Sequence, residues 1–91
     1  MSTKSADWAH FAIVVRQHIL LYVIPQYGDK GNDECADYTK DDLIKQIKKY
    51  TSRQGKNSRP GQDELDLLKI AHYAQMAYTM IAEEKEDAKK E

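Results

Sequence analysis

The chain has 91 residues, of which 41% are hydrophobic and 32% charged, with a formal net charge of -1. That length suits a single domain with the balance of an ordinary soluble globular protein, and it buries a modest core, removing roughly 60–65% of the unfolded surface from water, so oligomerisation would help it. Near-neutral charge excludes a global pull toward nucleic acid or membrane, and any electrostatic recognition must come from local segregation.

The first predicted helix runs from about Ser5, a candidate N-cap, to Ile24, with Asp7 in its first turn to complement the helix dipole. Trp8, Phe11, Ala12, Val15, Ile19 and Tyr22 make a stripe at helical spacing, and Ile13, Val14, Leu20, Leu21, Val23 and Ile24 fill much of the remaining circumference. A helix apolar on most sides is usually buried on more than one, which in a chain this short points to a homo-oligomer through this helix. Pro25 disfavours helical geometry at Ile24 and is expected to end or kink the helix. The apolar runs Phe11–Val15 and Ile19–Pro25 are interrupted by Arg16, Gln17 and His18, short of the ~20 apolar residues of a membrane span. The leading residues MSTKSADW lack the order of a signal peptide. No membrane association is expected, and the chain reads as cytoplasmic.

Gln26 to Tyr38, QYGDKGNDECADY, reads as a loop rich in Gly, Asn and Asp. Asp29, Asp33, Glu34 and Asp37 make it either a solvated linker or a segment that lends a carboxylate to a cation. It holds the single cysteine, Cys35, which excludes an intramolecular disulfide and a cysteine-based metal site and fits a reducing cytosol.

A second helix is predicted from Thr39 to about Arg53. Thr39 with Asp42 three residues on approximates a capping box. Leu43, Ile44, Ile47 and Tyr50 form the inner face, and Gly55 is a natural stop. A polar loop, SRQGKNSRPG, leads to Pro60 and Gly61 at the start of a third helix reaching about Glu84. Leu67, Ile70, Ala71, Ala74, Ala77, Tyr78 and Ile81 make its apolar face, with alanines that permit close helix approach. Leu65, Leu68, His72, Gln75 and Thr79 fall near one line, and the charged tail EEKEDAKKE is a solvated or frayed end. The expected fold is all-α, a single domain forming a bundle of three main helices at about 5–24, 39–53 and 61–84, without strands.

Two charge clusters carry the candidate chemistry. Between Leu43 and Gln62 stand Lys45, Lys48, Lys49, Arg53, Lys56 and Arg59, with no acid among them. Lys45, Lys49 and Arg53 repeat at one-turn spacing, and such a row can hold phosphates or serve as the basic end of an amphipathic helix. Asp63, Glu64 and Asp66 then open the third helix. Asp63 and Asp66, three apart, could supply two oxygen ligands to Mg²⁺, or complement the helix dipole. No Ser/His/Asp or Cys/His arrangement and no Gly-rich phosphate loop is present. His72 reads as a core or interface residue, and His10 and His18 could share a face. Tyr50, Tyr73 and Tyr78 are expected in the core, where one could stack on a base.

The stretch DELDLLKIAHYAQMAY, Asp63 to Tyr78, resembles the last motif helix of MazG-like all-α nucleoside triphosphate pyrophosphohydrolases, which carries an acidic pair three residues apart before an apolar run. With QYGDKG and IKKYTSRQGK it also resembles small phage and prophage proteins linked to nucleotide modification or metabolism. The resemblance covers about half the chain. It implies a nucleotide ligand, Mg²⁺ held by Asp63 and Asp66, and phosphate charge neutralised by Lys49, Arg53 or Lys56. The family's second acidic set, E-E-x-x-E on an earlier helix, has no counterpart, since Asp7 is the first helix's only acid. The expectation is therefore a nucleotide-associated protein that binds a phosphorylated small molecule through Lys45, Lys49, Arg53, Lys56 and Arg59 without efficient turnover. The alternative is a helical protein-interaction or regulatory module without a small ligand. A third reading is non-specific nucleic-acid binding through the basic residues.

Overall fold

The structure, a computed structural model, describes residues 3–27 and 38–90. Its elements are all helical: α1 (Thr3–His18), a π-helical segment (Ile19–Val23), α2 (Ile24–Tyr27), α3 (Lys40–Ser52) and α4 (Gln62–Lys90). No strand occurs among the described residues. The chain divides into two compact units, Met1–Asp37 and Tyr38–Glu91.

In the first unit, helix begins at Thr3, so Ser5 lies within α1 and is not its cap. Pro25 does not end the helix, which continues to Tyr27. The preceding turn widens: the Ile24 N–H donates to the Ile19 carbonyl, five residues back. A proline inside a helix has no N–H to donate, and its ring crowds the carbonyl four residues earlier, here that of Leu21. A single π turn just ahead of the proline relieves both problems without breaking the helix.

This helical run is mostly exposed. Trp8 and Leu21 show 65% and 67% of their surface, and Ile13, Leu20 and Tyr22 are also exposed. Trp8 and Phe11, three residues apart, bring their rings to 5.8 Å. His18 is buried and lies 5.7 Å from the Tyr22 ring, while His10 is exposed. Read as one helix, Thr3–Gln26 spans 24 residues and reaches a mean hydropathy of 1.2 over its most apolar stretch, long and apolar enough to cross a membrane on those two measures. Core helices of soluble proteins meet the same criteria, and Arg16, Gln17 and His18 sit near its middle.

The second unit is an antiparallel helical hairpin. Lys40 at the start of α3 reaches Glu84 late in α4 (3.5 Å), and Arg53 just past its end reaches Asp66 early in α4 (3.0 Å). Between them the rings of Tyr50 and Tyr73 stack at 6.0 Å and 9°. α3 starts with the expected capping box: Asp42 N–H donates to Thr39 Oγ1 (3.2 Å), and Thr39 N–H donates to Asp42 Oδ2 (2.9 Å). These bonds from Thr39, backbone first, hold the Asp42 carboxyl below its ordinary pKa. At the other end Thr51 and Ser52 hydroxyls donate back to the carbonyls of Ile47 and Lys49. Such local bonds offer the backbone an alternative to continued helix.

The apolar core of the hairpin is small, centred on Leu43, 2% exposed, and Ala77. Only part of the expected apolar face is covered. Ile44, Leu67 and Ile81 are exposed, and Tyr78, expected in the core, is 74% exposed. The reason is the number of helices: α3 lies along α4 between Asp66 and Glu84 and covers one side of it, and Leu67, Tyr78 and Ile81 in that stretch occupy sides that α3 does not reach. His72 is half-buried on α4.

Candidate anion-binding site

The α3–α4 turn is pinned to α4 by a polar network whose hub is Asp66. Gly55 takes φ +80°, a conformation costly for side chains bearing a Cβ, and reverses the chain after α3. Gly61, also at φ +80°, delivers it into α4. Pro60 and Gly61 thus belong to the turn, and the helix opens at Gln62.

Asp66 is wholly buried, 0% exposed. Arg53 grips it through Nε to Oδ2 (3.2 Å) and Nη2 to both oxygens (3.0 Å). Gln62 Nε2 donates to Oδ1 (2.8 Å) and Asn57 Nδ2 to Oδ2 (3.2 Å). Burial works to raise the Asp66 pKa. The bonds from Gln62 and Asn57 and the charge of Arg53 outweigh it, so the group is held below its ordinary value of 3.8. Asp63 accepts at Oδ1 from Asn57 Nδ2 (2.7 Å) and the Gly55 N–H (3.3 Å), and at its backbone carbonyl from Gln54 Nε2 (3.1 Å). Asn57 thus bridges both acids. The two carboxylates read in sequence as metal ligands fasten the turn, and a cation binding at Asp66 would have to displace donors already engaged there. Among the described residues no group of three or more His, Cys, Asp or Glu side chains is placed to hold a metal ion.

The outer side of the same turn is basic. Arg53, Lys56, Asn57, Ser58, Arg59 and Gln62 line an open concavity of about 370 Å³. Of the five expected phosphate-binding residues, the fold therefore gathers Arg53, Lys56 and Arg59. Lys45 and Lys49 stand exposed on α3, outside that lining, as does Lys48. Beside the concavity is a second group of cations: Lys49 Nζ, Arg53 Cζ and Lys69 Nζ lie 5.4, 5.0 and 5.1 Å from the Tyr50 ring centre. Cations over an aromatic face are attracted by its quadrupole.

Sequence reasoning missed Gln54, Asn57 and Gln62 as the donors that occupy the acids, and Lys69 as a member of the basic cluster. A usable signal existed for the first three: amide side chains in a loop that leads into two acids one turn apart. Lys69 gave none, because its neighbours in space lie 16 to 20 residues away in the chain. Asp29, Asp33, Glu34, Asp37 and Cys35 lie outside the described residues. Comparison with protein-family models, with curated proteins and with solved structures found no match.

Proposed function

We propose that the protein binds a phosphorylated ligand, without turning it over, at the outer side of the α3–α4 turn. The observation that carries this reading is the concavity itself. Three cations, Arg53, Lys56 and Arg59, share it with the amides of Asn57 and Gln62 and the hydroxyl of Ser58. Guanidinium and ammonium groups flanked by neutral donors suit phosphate oxygens. Asp66 offsets the charge of Arg53, and Asp63 and Glu64 stand in the first turn of α4, so the charge left for a phosphate is chiefly that of Lys56 and Arg59, neither of which makes an ion pair among the described residues. The network preorganises the turn, which lowers the ordering cost of binding. The resemblance of residues 63–78 to pyrophosphohydrolases makes nucleotides the first ligands to test, and Mg²⁺ would arrive with the phosphates.

Thermal melts against nucleoside mono-, di- and triphosphates and inorganic phosphate, with and without Mg²⁺, test the reading. A ligand present at 100 times its Kd adds about 2.7 kcal/mol, about 10–20 °C for a chain of this size. The Lys56→Ala/Arg59→Ala variant should lose the shift while keeping its own melting temperature. No shift at millimolar ligand across the panel would remove the proposal.

A second reading rests on α1. Exposed Trp8 and Ile13 on α1, with Leu20, Leu21 and Tyr22 on the π-helical segment that continues it, form more apolar surface than a helix facing water usually carries. Self-association through this surface, giving the oligomeric bundle expected from the sequence, or capture of a protein partner, is the corresponding function.

A further inference from the structure

We propose that the phosphate site is one part of a longer track, and that its ligand is single-stranded nucleic acid held by its backbone. The proposal rests on the phosphate-binding reading above and names its ligand class.

The concavity is poorly suited to a free nucleotide. Small-molecule sites bury 70–90% of their ligand and are lined mainly by apolar and aromatic groups. None of the six residues lining this one is apolar, and it is open. It offers phosphates a seat and gives a base or sugar nothing to pack against. A chain that passes through and is held elsewhere as well does not need that wall.

The second hold is the group at Tyr50. Lys49 and Lys69 come from different helices, yet both lie within 5.4 Å of one ring centre, and neither makes an ion pair among the described residues. Two ammonium groups beside one ring add their fields, which favours an anion nearby. Arg53 joins the two groups: it lies over Tyr50, lines the concavity and is fixed in place by Asp66. Lys49 and Arg53 are about 6 Å apart along α3. The two groups are thus about one helical turn apart, close enough for one strand to touch both. Tyr50 stacks on Tyr73, so its ring anchors these cations rather than a base, and the hold on the strand is one of charge.

The overall charge of -1 does not oppose this. The acids of α4 fall in two groups, Asp63, Glu64 and Asp66 at the turn, where Asp66 pairs with Arg53, and Glu83, Glu84, Glu86 and Asp87 in its far half. Along the helix, Glu83 is about 26 Å from Asp66, several screening lengths at physiological salt. The positive charge a strand would meet is that of Lys49, Lys56, Arg59 and Lys69, which make no ion pair among the described residues.

Fluorescence anisotropy with labelled oligothymidylates of 6, 12 and 24 nucleotides tests the proposal, with ATP, inorganic phosphate and a 12-base-pair duplex as comparison ligands. Affinity should rise at least tenfold from ATP to the 12-mer and exceed that for the duplex. The logarithm of the binding constant should fall with that of salt concentration at about -0.7 per phosphate neutralised, a slope of about -2 to -3.5 for three to five contacts. The Lys49→Gln/Lys69→Gln variant should lose at least fivefold for the 12-mer and leave the melting shift with inorganic phosphate unchanged. Lys49→Arg/Lys69→Arg should retain binding, which separates charge from folding. A melting shift with ATP but no tighter binding of the 12-mer would overturn this inference and leave the phosphate site standing. Equal or tighter binding of the duplex would overturn the single-strand assignment. No binding of ATP, phosphate or oligonucleotide would remove both proposals.

Discussion

Asp66 is the residue whose loss should be felt most. Its carboxylate is wholly buried and accepts from three side chains, so removing it takes the acceptor from Arg53 and Gln62 and leaves Asn57 with Asp63 alone. Breaking a buried ion pair from one side costs about 3–5 kcal/mol when both partners are buried. The Arg53 side chain is 37% exposed and can recover hydration, so Asp66→Ala should cost on the order of 2–3 kcal/mol, a fall of about 10–20 °C in a circular-dichroism melt. The sign of the pH dependence follows from the direction of the shift. The folded-state pKa of Asp66 lies below the ordinary 3.8, so its contribution is complete above that value and is lost as pH falls through the depressed one. Melts from pH 7 to pH 2 should show the wild type losing stability below about pH 4 more steeply than Asp66→Asn. Gly55 is a second sensitive position. A Cβ there meets no neighbour within 4 Å, so the cost of Gly55→Ala comes from φ +80° alone, about 1–2 kcal/mol. Gly55→Asn should cost less, since Asn tolerates that region better. Equal melting temperatures for the two variants would show that the turn changes conformation to accept either.

At the scale of elements, α3 is defined at both ends by its own side chains, and α4 is held over part of its length. Thr39→Ala removes the Oγ1 acceptor of the capping box and should lower stability by about 1 kcal/mol. Glu84→Ala breaks the other link between the helix ends and should change stability by less than about 0.5 kcal/mol, because both partners are exposed and the pair is screened. Urea denaturation of the two variants checks the contrast, and an equal or larger effect of Glu84 would mean that the far end of the hairpin depends on that ion pair. The π turn ahead of Pro25 belongs to this scale too. The sequence marked where helical geometry would be disturbed. The structure shows the disturbance absorbed by one widened turn, which leaves α1 and α2 continuous.

At the scale of the whole molecule, the apolar surface left uncovered is the dominant feature. The helical run 3–27 contributes Trp8, Leu20, Leu21 and Tyr22, and the hairpin contributes Leu67, Tyr78 and Ile81. Surface of this kind favours association, and a chain of 91 residues gains stability by burying it. Sedimentation velocity should show an oligomer that dissociates on Leu20→Glu/Leu21→Glu. A wild-type chain that sediments as a monomer at 100 μM would count against self-association through α1 and leave a partner protein as its use.

What the sequence determined by itself was the part set by neighbours three or four residues apart: helical periodicity, the Thr39–Asp42 capping box, the stop at Gly55, and the basic and acidic blocks on either side of Gly61. These depend on local geometry that any window of the chain contains. The tertiary structure decided which residues meet across the hairpin. Asp63 and Asp66 had the same local pattern whether they faced a cation, a helix dipole or a turn. Only the folding back of Arg53 and Asn57, thirteen and nine residues away from Asp66, engaged that carboxylate in the turn. Lys69 joined Lys49 and Arg53, and Tyr78 stayed in water, for the same reason. Pairing over long separations is set by how two helices of unequal length pack, and no local spacing encodes it.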